Sequence, residues 1–241
     1  MAINQLRPTK NADGTAVVTP SRTGSYLEAY TLPMGHGRMG MADEGSYYVA
    51  TNATIGTQLT GHVAPAIADT NTKSIIQFYN PATSGKDVYL DYLVLTTVIA
   101  NANATKVDFL AWTDQKGATG LSSGGTTITT ISNCRADSTN TTGITLTAGA
   151  CVTAPATNVH RVLQRTVKAY IGVALDSYTF AFGNSAFSPS GYAMVTAVTN
   201  SLTSCAPVVV GPGCNFYFVQ TGPSGSGTAM TFEFEMGFWE R

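Results

Sequence analysis

The segment Met230-Thr-Phe-Glu-Phe-Glu-Met-Gly-Phe238 carries an apolar side chain at every second position. In an extended strand, successive side chains point to opposite faces, so these apolar groups would all meet one core. A helix would distribute them around its circumference. The intervening carboxylates, Glu233 and Glu235, would lie on the solvent side. The segment therefore predicts a β-strand with one buried face and one hydrated face.

Further strand-like segments, separated by turn residues, follow one another after residue 72. They cover residues 74–79, 88–99, 105–113, 178–182, 192–198, 208–210 and 216–219. Residues 159–171 also suit a helical period, and we favour a strand there because the second half is rich in β-prone residues. These strands, with no alternation of strand and helix, predict an all-β fold, an antiparallel β-sandwich of the jelly-roll type.

The turns also predict which segments pair. We expect residues 105–113 to pair with residues 88–99 through a turn at 101–104, and residues 208–210 to pair with 216–219. The Gly- and Ser-rich loop at 221–227 would then form a hairpin connection into the final strand. The Thr- and Gly-rich stretch between residues 117 and 156 predicts edge strands and long loops.

The composition limits the classes of partner. Charged residues make up 11% of the chain, and the net charge is −1. This balance offers no electrostatic attraction to nucleic acid or to an anionic membrane, so we expect neither as a partner. An apolar share of 44% favours an ordered fold over disorder. The first residues lack a signal-peptide pattern and no segment has the ~20 apolar residues of a membrane span, so we expect assembly in a cytoplasm.

Residues 1–60 differ from the rest of the chain, because they combine seven glycines and three prolines with only short apolar runs. They predict an extended arm, followed by a β-sandwich domain over residues 61–241. The arm carries methionine and tyrosine side chains that suit contact with another protein. The predicted partner-interface residues are Arg7, Tyr26, Leu27, Tyr30, Met34, Arg38, Met39, Met41, Tyr47 and Tyr48. The same side chains would equally serve an arm that folds back onto its own domain.

The motifs that could carry chemistry lack their usual context. Gly35-His-Gly-Arg-Met-Gly40 matches the glycine spacing of a dinucleotide-binding loop. Such a loop follows a buried strand and opens a helix, whereas here no buried strand precedes the motif and Gly45 interrupts the segment after it. Glu233 and Glu235 have the spacing of a calcium-binding or glycosidase pair, although solubilising carboxylates are commoner on strands. The three histidines fit no metal-binding pattern. We therefore expect no catalytic residue, no metal, no cofactor and no enzymatic activity.

Four cysteines, Cys134, Cys151, Cys205 and Cys214, have no CxxC spacing. They therefore suit neither a zinc site nor a redox motif. Buried free thiols are the simplest interpretation. A bridge between Cys134 and Cys151, or between Cys205 and Cys214, stays open for a protein that reaches an oxidising exterior.

Five stretches of the chain together carry a resemblance to a known group of proteins. They are residues 42–52, Asn80-Pro81, residues 86–93, residues 207–213 and the closing Phe238-Trp-Glu-Arg241. In combination they resemble virion proteins of tailed bacteriophages, in particular jelly-roll cement or decoration proteins. The resemblance implies a non-enzymatic structural protein on the capsid exterior, bound to the major capsid protein as a homotrimer. In such families an N-terminal portion holds the capsid lattice, while a β-sandwich faces solvent.

A carbohydrate- or receptor-binding module on a virion surface is the alternative. Jelly rolls often hold glycans against aromatic side chains, and a host-surface glycan would then be a partner. The loops between residues 118 and 156 are the candidate border of such a site, yet this stretch contains no Trp, Tyr or Phe. The sequence therefore favours capsid attachment over glycan binding.

Overall fold

The computed structural model of the chain describes residues 9–10, 16–17, 37–52, 54, 56, 58–60, 73–99, 107–114, 123–152, 159–167, 176–183, 200–221 and 230–241. Within these ranges the chain forms one helix and sixteen strands. In chain order they are β1 (Thr9–Lys10), β2 (Ala16–Val17), α1 (Gly37–Asp43), β3 (Tyr47–Thr51), β4 (Leu59–Thr60), β5 (Lys73–Asn80), β6 (Val88–Ile99), β7 (Val107–Asp114), β8 (Ser123–Thr127), β9 (Ile131–Asn133), β10 (Thr145–Val152), β11 (Val159–Val167), β12 (Ser177–Phe182), β13 (Asn200–Cys205), β14 (Val209–Val210), β15 (Cys214–Thr221) and β16 (Thr231–Glu240).

Two large sheets pack against each other as a β-sandwich, which confirms the predicted all-β fold class. One sheet has six strands in the order β11-β7-β15-β5-β10-β8. The other has eight, in the order β13-β12-β6-β16-β3-β9, with β14 beside β6 and β4 beside β16. Neighbouring strands are antiparallel except β12 and β13, which run parallel. The short strands β1 and β2 pair separately with each other.

Strand β16, which contains the segment that predicts the fold, lies in the interior of the eight-stranded sheet. It pairs with β6 from Thr231 to Glu240, and with β3 and β4 on its other side. Its four alternating apolar side chains are all buried, while Glu235 on the opposite face is exposed. The predicted alternation is therefore confirmed, and so is the strand prediction for the ambiguous segment, which forms β11.

The core between the sheets is rich in aromatic side chains from both of them. Phe109 of β7 has its ring centroid 5.2 Å from that of Phe180 and 6.4 Å from that of Phe232, both in the opposite sheet. Phe78 of β5 meets Phe238 of β16 edge to face at 5.1 Å. Each such pair adds about 0.5–1.5 kcal/mol beyond the burial of its area. These rings therefore hold the two sheets together.

The predicted pairings between neighbouring segments are wrong. Strand β6 belongs to the eight-stranded sheet, whereas β7 lies between β11 and β15 in the six-stranded sheet. Likewise β14 pairs with β6 while β15 pairs with β5 and β7, and the loop after β15 leads to the other sheet instead of closing a hairpin. Two amphipathic strands can bury their apolar faces by facing each other across a core as well as by lying side by side. The predicted strand at 192–198 and turn at 101–104 lie outside the described residues.

The compact sandwich begins earlier than the predicted boundary at residue 60. By its internal contacts the chain divides into Met1–Gly40 and Met41–Arg241. The reason is that β3 occupies an interior position in the eight-stranded sheet, between β16 and β9. Helix α1 also replaces part of the predicted extended arm. It is followed by Gly45, whose φ of 71° lies in the left-handed region that glycine adopts readily.

Replacing Phe232 by alanine should lower the free energy of unfolding by about 3–5 kcal/mol, because it removes a fully buried ring from the core. Ile99→Ala is the matched control. Ile99 pairs with Thr231 beside Phe232 but is 46% exposed, so we expect a loss of about 1 kcal/mol or less. Urea denaturation measures both values. Equal losses in the two variants would contradict the inward face assigned to β16.

Candidate functional site

The ten predicted interface residues do not share one surface within the described part of the chain. Five of them lie outside it: Arg7, Tyr26, Leu27, Tyr30 and Met34. On helix α1, Arg38 is exposed, Met39 is 68% exposed and Met41 is half-buried. Tyr47 and Tyr48 are buried in strand β3. Within the described residues, α1 therefore contributes the accessible members of the set.

Tyr47 and Tyr48 stabilise the fold of this chain. The ring of Tyr48 stacks on that of Phe238 with centroids 5.6 Å apart, and Tyr48 is only 2% exposed. The Tyr47 hydroxyl donates a hydrogen bond of 2.6 Å to Asp91, which is 2% exposed. A buried carboxylate needs such a donor, since an unpaired one is costly. Tyr48 is therefore a core residue, whereas Tyr47 is buried on the opposite face of β3.

An aromatic row crosses the outer face of the eight-stranded sheet. Tyr89 of β6 and Trp239 of β16 stack with centroids 5.5 Å apart and planes within 2° of parallel. On the other side of Trp239, Tyr47 of β3 continues the row at 6.3 Å. Each ring therefore contacts its neighbour on the next strand, which is how aromatic pairs stabilise a sheet.

The two carboxylates Glu233 and Glu235 accept hydrogen bonds from separate donors. Glu233 accepts from the backbone N–H of Gly56 at 2.7 Å, and Glu235 accepts from the Tyr92 hydroxyl. Burial and the neighbouring Glu235 raise the pKa of Tyr92, so this phenol keeps its proton at neutral pH. The Tyr92 ring lies over Gly237, where an added Cβ would come within 2.3 Å of ring atom Cε1. Glycine at position 237 therefore makes room for the tyrosine that holds Glu235.

A chain of hydrogen-bonded polar side chains runs across the outer face of the six-stranded sheet. This polar chain consists of Tyr217, Asp114, Asn215 and Gln77, none more than 5% exposed. Asp114 accepts from the backbone N–H and the side-chain amide of Asn215, each at 2.6 Å, and from the Tyr217 hydroxyl at 2.8 Å. Asn215 Oδ1 accepts in turn from Gln77 Nε2 at 3.2 Å. Three adjacent strands, β7, β15 and β5, are linked in this way.

Burial raises the pKa of Asp114 above its ordinary value, although the three donors around it favour the charged form. Burial, with Asp114 as the next contribution, also raises the pKa of Tyr217, so the phenol stays a donor at neutral pH.

Beside the polar chain, Leu110, Trp112 and Val219 pack with Tyr217 in a second buried cluster. Both faces of β7 are therefore buried, since Phe109 and Ala111 on its other face belong to the main core.

The polar chain ends at a cavity of about 290 Å³, here called the outer pocket. Its lining residues are Gln77, Tyr79, Gly124, Gly125, Thr127, Thr145 and Thr147. They come from the adjacent strands β5, β10 and β8. The sequence identified the Thr- and Gly-rich stretch as a candidate border but missed Gln77 and Tyr79. Only the pairing of β5 with β10 brings these two beside it.

Other candidate sites are limited. Among the described residues, no group of three or more His, Cys, Asp or Glu side chains is placed to hold a metal ion. None of the described helical residues form a segment long and apolar enough to cross a membrane. The four cysteines are free thiols, and Cys134 is exposed whereas Cys151 and Cys205 are buried. Burial raises the pKa of Cys151 to about 11, so this thiol is protonated at neutral pH.

Carboxyl ¹³C NMR should show Asp114 titrating above the ordinary aspartate pKa of about 3.9, and Asp137, whose pKa Arg135 lowers, titrating below it. Tyr217→Phe should raise the pKa of Asp114 further, because it removes a donor to the charged form. Since the folded pKa exceeds the unfolded one, the contribution of Asp114 to stability is complete below the unfolded pKa and is lost as pH rises through the folded pKa. An Asp114 pKa at or below that of Asp137 would contradict the burial assigned to the Asp114 carboxylate.

Comparisons with protein-family models, with curated proteins and with solved structures found no match. A functional proposal for this chain therefore depends on its residues and their geometry. Two features of that geometry are used below: the corner of the eight-stranded sheet where β3, β16, β6 and β14 are neighbours, and the outer pocket at the end of the polar chain.

Proposed function

We propose that this chain is a cement or decoration protein that binds the outside of a phage capsid and stabilises it. One observation carries the proposal. Four of the five stretches that resemble such proteins, spread from residue 42 to residue 241, are neighbours at one corner of the eight-stranded sheet, and the fifth, Asn80-Pro81, is hydrogen-bonded to them from the end of β5. There Tyr47 pairs with Trp239, Trp239 pairs with Tyr89, and Tyr89 pairs with Val209, so that β3, β16, β6 and β14 are direct neighbours.

Hydrogen bonds close this corner. The side-chain amide of Asn80 donates to the carbonyl oxygens of Lys86 and Val210, each at 2.8 Å. The backbones of Asp87 and Arg241 exchange two hydrogen bonds of 2.9 Å. The stretches that carry the resemblance thus form one hydrogen-bonded structural unit.

The partner in this proposal is the major capsid protein, and the site of action is the capsid exterior after assembly in a host cytoplasm. A symmetric homotrimer seated across several capsid subunits would add buried contact area to each of them. Several weak contacts made through one rigid body produce tight attachment. Stabilisation of a shell requires no catalytic group, which agrees with a non-enzymatic role.

Attachment should resist salt. With 11% charged residues and a net charge of −1, the chain would hold its partner mainly by apolar contacts and neutral hydrogen bonds. Purified capsids mixed with the protein should retain it on sedimentation when NaCl is raised from about 0.1 M to about 1 M, where the screening length falls to about 3 Å. Release at moderate salt and neutral pH would show that the contact is electrostatic.

Deleting residues 1–40 should abolish capsid attachment and leave the fold intact. The division of the chain at Gly40 dictates this end point, because a deletion to residue 60 would remove the interior strand β3. Cryo-electron microscopy of undecorated capsids mixed with each protein measures occupancy, and thermal unfolding of the truncated chain is the control. A truncated chain that decorates capsids as fully as the intact one would contradict attachment through the N-terminal residues.

A second candidate function is a carbohydrate- or receptor-binding module on the virion surface. The observation that favours it is the outer pocket, where Tyr79 supplies the aromatic ring that the Thr- and Gly-rich stretch lacks. The two functions are compatible on one chain, because the residues proposed for capsid attachment and those of the pocket are different. Saccharide binding by the intact protein, measured without capsids, tests the second function independently of the first.

A further inference from the structure

We propose that the outer pocket binds a neutral saccharide, with the side-chain oxygen of Gln77 accepting a hydrogen bond from a sugar hydroxyl. This inference rests on the second function proposed above, glycan binding, and is independent of capsid attachment. It assigns the site and the chemistry of the ligand. The orientation of the Gln77 amide is set at the opposite end of the polar chain, at Asp114.

Asp114 determines how every amide in the polar chain is oriented. Its carboxylate oxygens accept from three donors, so the Asn215 side chain must present Nδ2 to it. Asn215 Oδ1 then faces Gln77, which must present Nε2. Turning either amide by 180° would place two oxygens against each other. The remaining atom of the last amide, Gln77 Oε1, is therefore fixed as an acceptor.

Gln77 Oε1 has no hydrogen-bond partner among the described residues, although Gln77 is only 1% exposed. A buried polar atom left without a partner costs about 1–3 kcal/mol. Gln77 is itself one of the lining residues of the outer pocket, and its strand β5 lies between β15 and β10. A ligand that donates a hydrogen bond there removes this cost. The floor of the pocket therefore selects a hydroxyl or N–H group.

The other lining residues select a neutral ligand with many hydroxyl groups. Among the described lining residues none is charged, and Thr127, Thr145 and Thr147 offer hydroxyls that donate or accept. Tyr79 is half-buried and adds an aromatic ring, which suits the apolar C–H face of a sugar. The volume of about 290 Å³ is at the lower end of the range for small-molecule sites. These properties together fit a small saccharide.

The backbone keeps the rim of this pocket open. Gly124 and Gly125 have φ values of 79° and 72°, a conformation that L side chains rarely adopt. A Cβ on Gly125 would come within 2.7 Å of Thr147 Cγ2 and 2.8 Å of Cys151 Sγ. The close approach of β8 to β10 therefore requires glycine, and this edge of the pocket carries no side chain that would cover it.

Ligand-observed NMR and chemical-shift titration of the full chain test the inference. The probes are D-glucose, D-galactose, D-mannose and N-acetyl-D-glucosamine, each up to about 20 mM, which detects dissociation constants in the millimolar range. At least one of them should bind, and D-galacturonate, which is charged, should bind less well. Thr145→Val removes an exposed hydroxyl from the pocket wall and should weaken binding about fivefold, the loss expected for one hydrogen bond.

Thr126→Val is the matched control. Thr126 is an exposed threonine of β8, next to the pocket residue Thr127, but it does not line the pocket itself. It should bind as the wild type does. Gln77→Leu removes the fixed acceptor and should abolish detectable binding, while thermal unfolding and capsid attachment of Thr145→Val stay unchanged. Failure of all four sugars to bind would overturn the inference. So would equal affinities for the wild type and Thr145→Val, which would leave glycan binding in place but move it to another site.

Discussion

The rest of this structure depends on one constraint: one face of β16 is buried against the opposite sheet. The strand lies between β6 on one side and β3 and β4 on the other, and its inward rings contact the opposite sheet. A shift of one residue in its register would exchange Phe232 and Phe234 with Glu233 and Glu235. Register is therefore strongly specified, and the strands on both sides of β16 take their positions from it.

The two outer faces of the sandwich are built differently. On the eight-stranded sheet, Tyr89, Trp239 and Tyr47 stack across three strands, and Gly237 provides space for Tyr92. On the six-stranded sheet, a single buried carboxylate, Asp114, orients a series of amides that ends in an oxygen with no partner among the described residues. The first face uses its polar groups to complete its own structure. The second leaves one acceptor for a ligand, which is why we place the binding site there.

The proposed attachment and the proposed ligand site occupy separate parts of the chain. Attachment concerns residues 1–40, which are distinct by their internal contacts from the compact unit that starts at Met41. The ligand site is on β5, β8 and β10 of that unit. This separation makes each function testable without disturbing the other.

Alternation of apolar side chains is a local property, and most of the long strands could therefore be predicted from the sequence. The sequence predicted the two-layer fold, the buried face of β16 and the strand nature of β11. It did not predict that β6 and β7 lie in different sheets, that β3 belongs to the sandwich, or that Leu110 and Trp112 on the outer face of β7 are buried. Those outcomes depend on which strands become neighbours, and many arrangements satisfy the same alternation.

The outer pocket illustrates most clearly this difference between what local sequence pattern predicts and what the order of the strands decides. The Thr- and Gly-rich stretch was recognisable in the sequence, but Tyr79 and Gln77 precede its start at residue 117 by 38 and 40 residues and reach it only through the pairing of β5 with β10. The direction of the Gln77 amide depends on Asp114, two strands away. Local pattern therefore decides which residues form strands, whereas sheet order decides which polar atoms meet, because hydrogen bonds between side chains act only at contact distance.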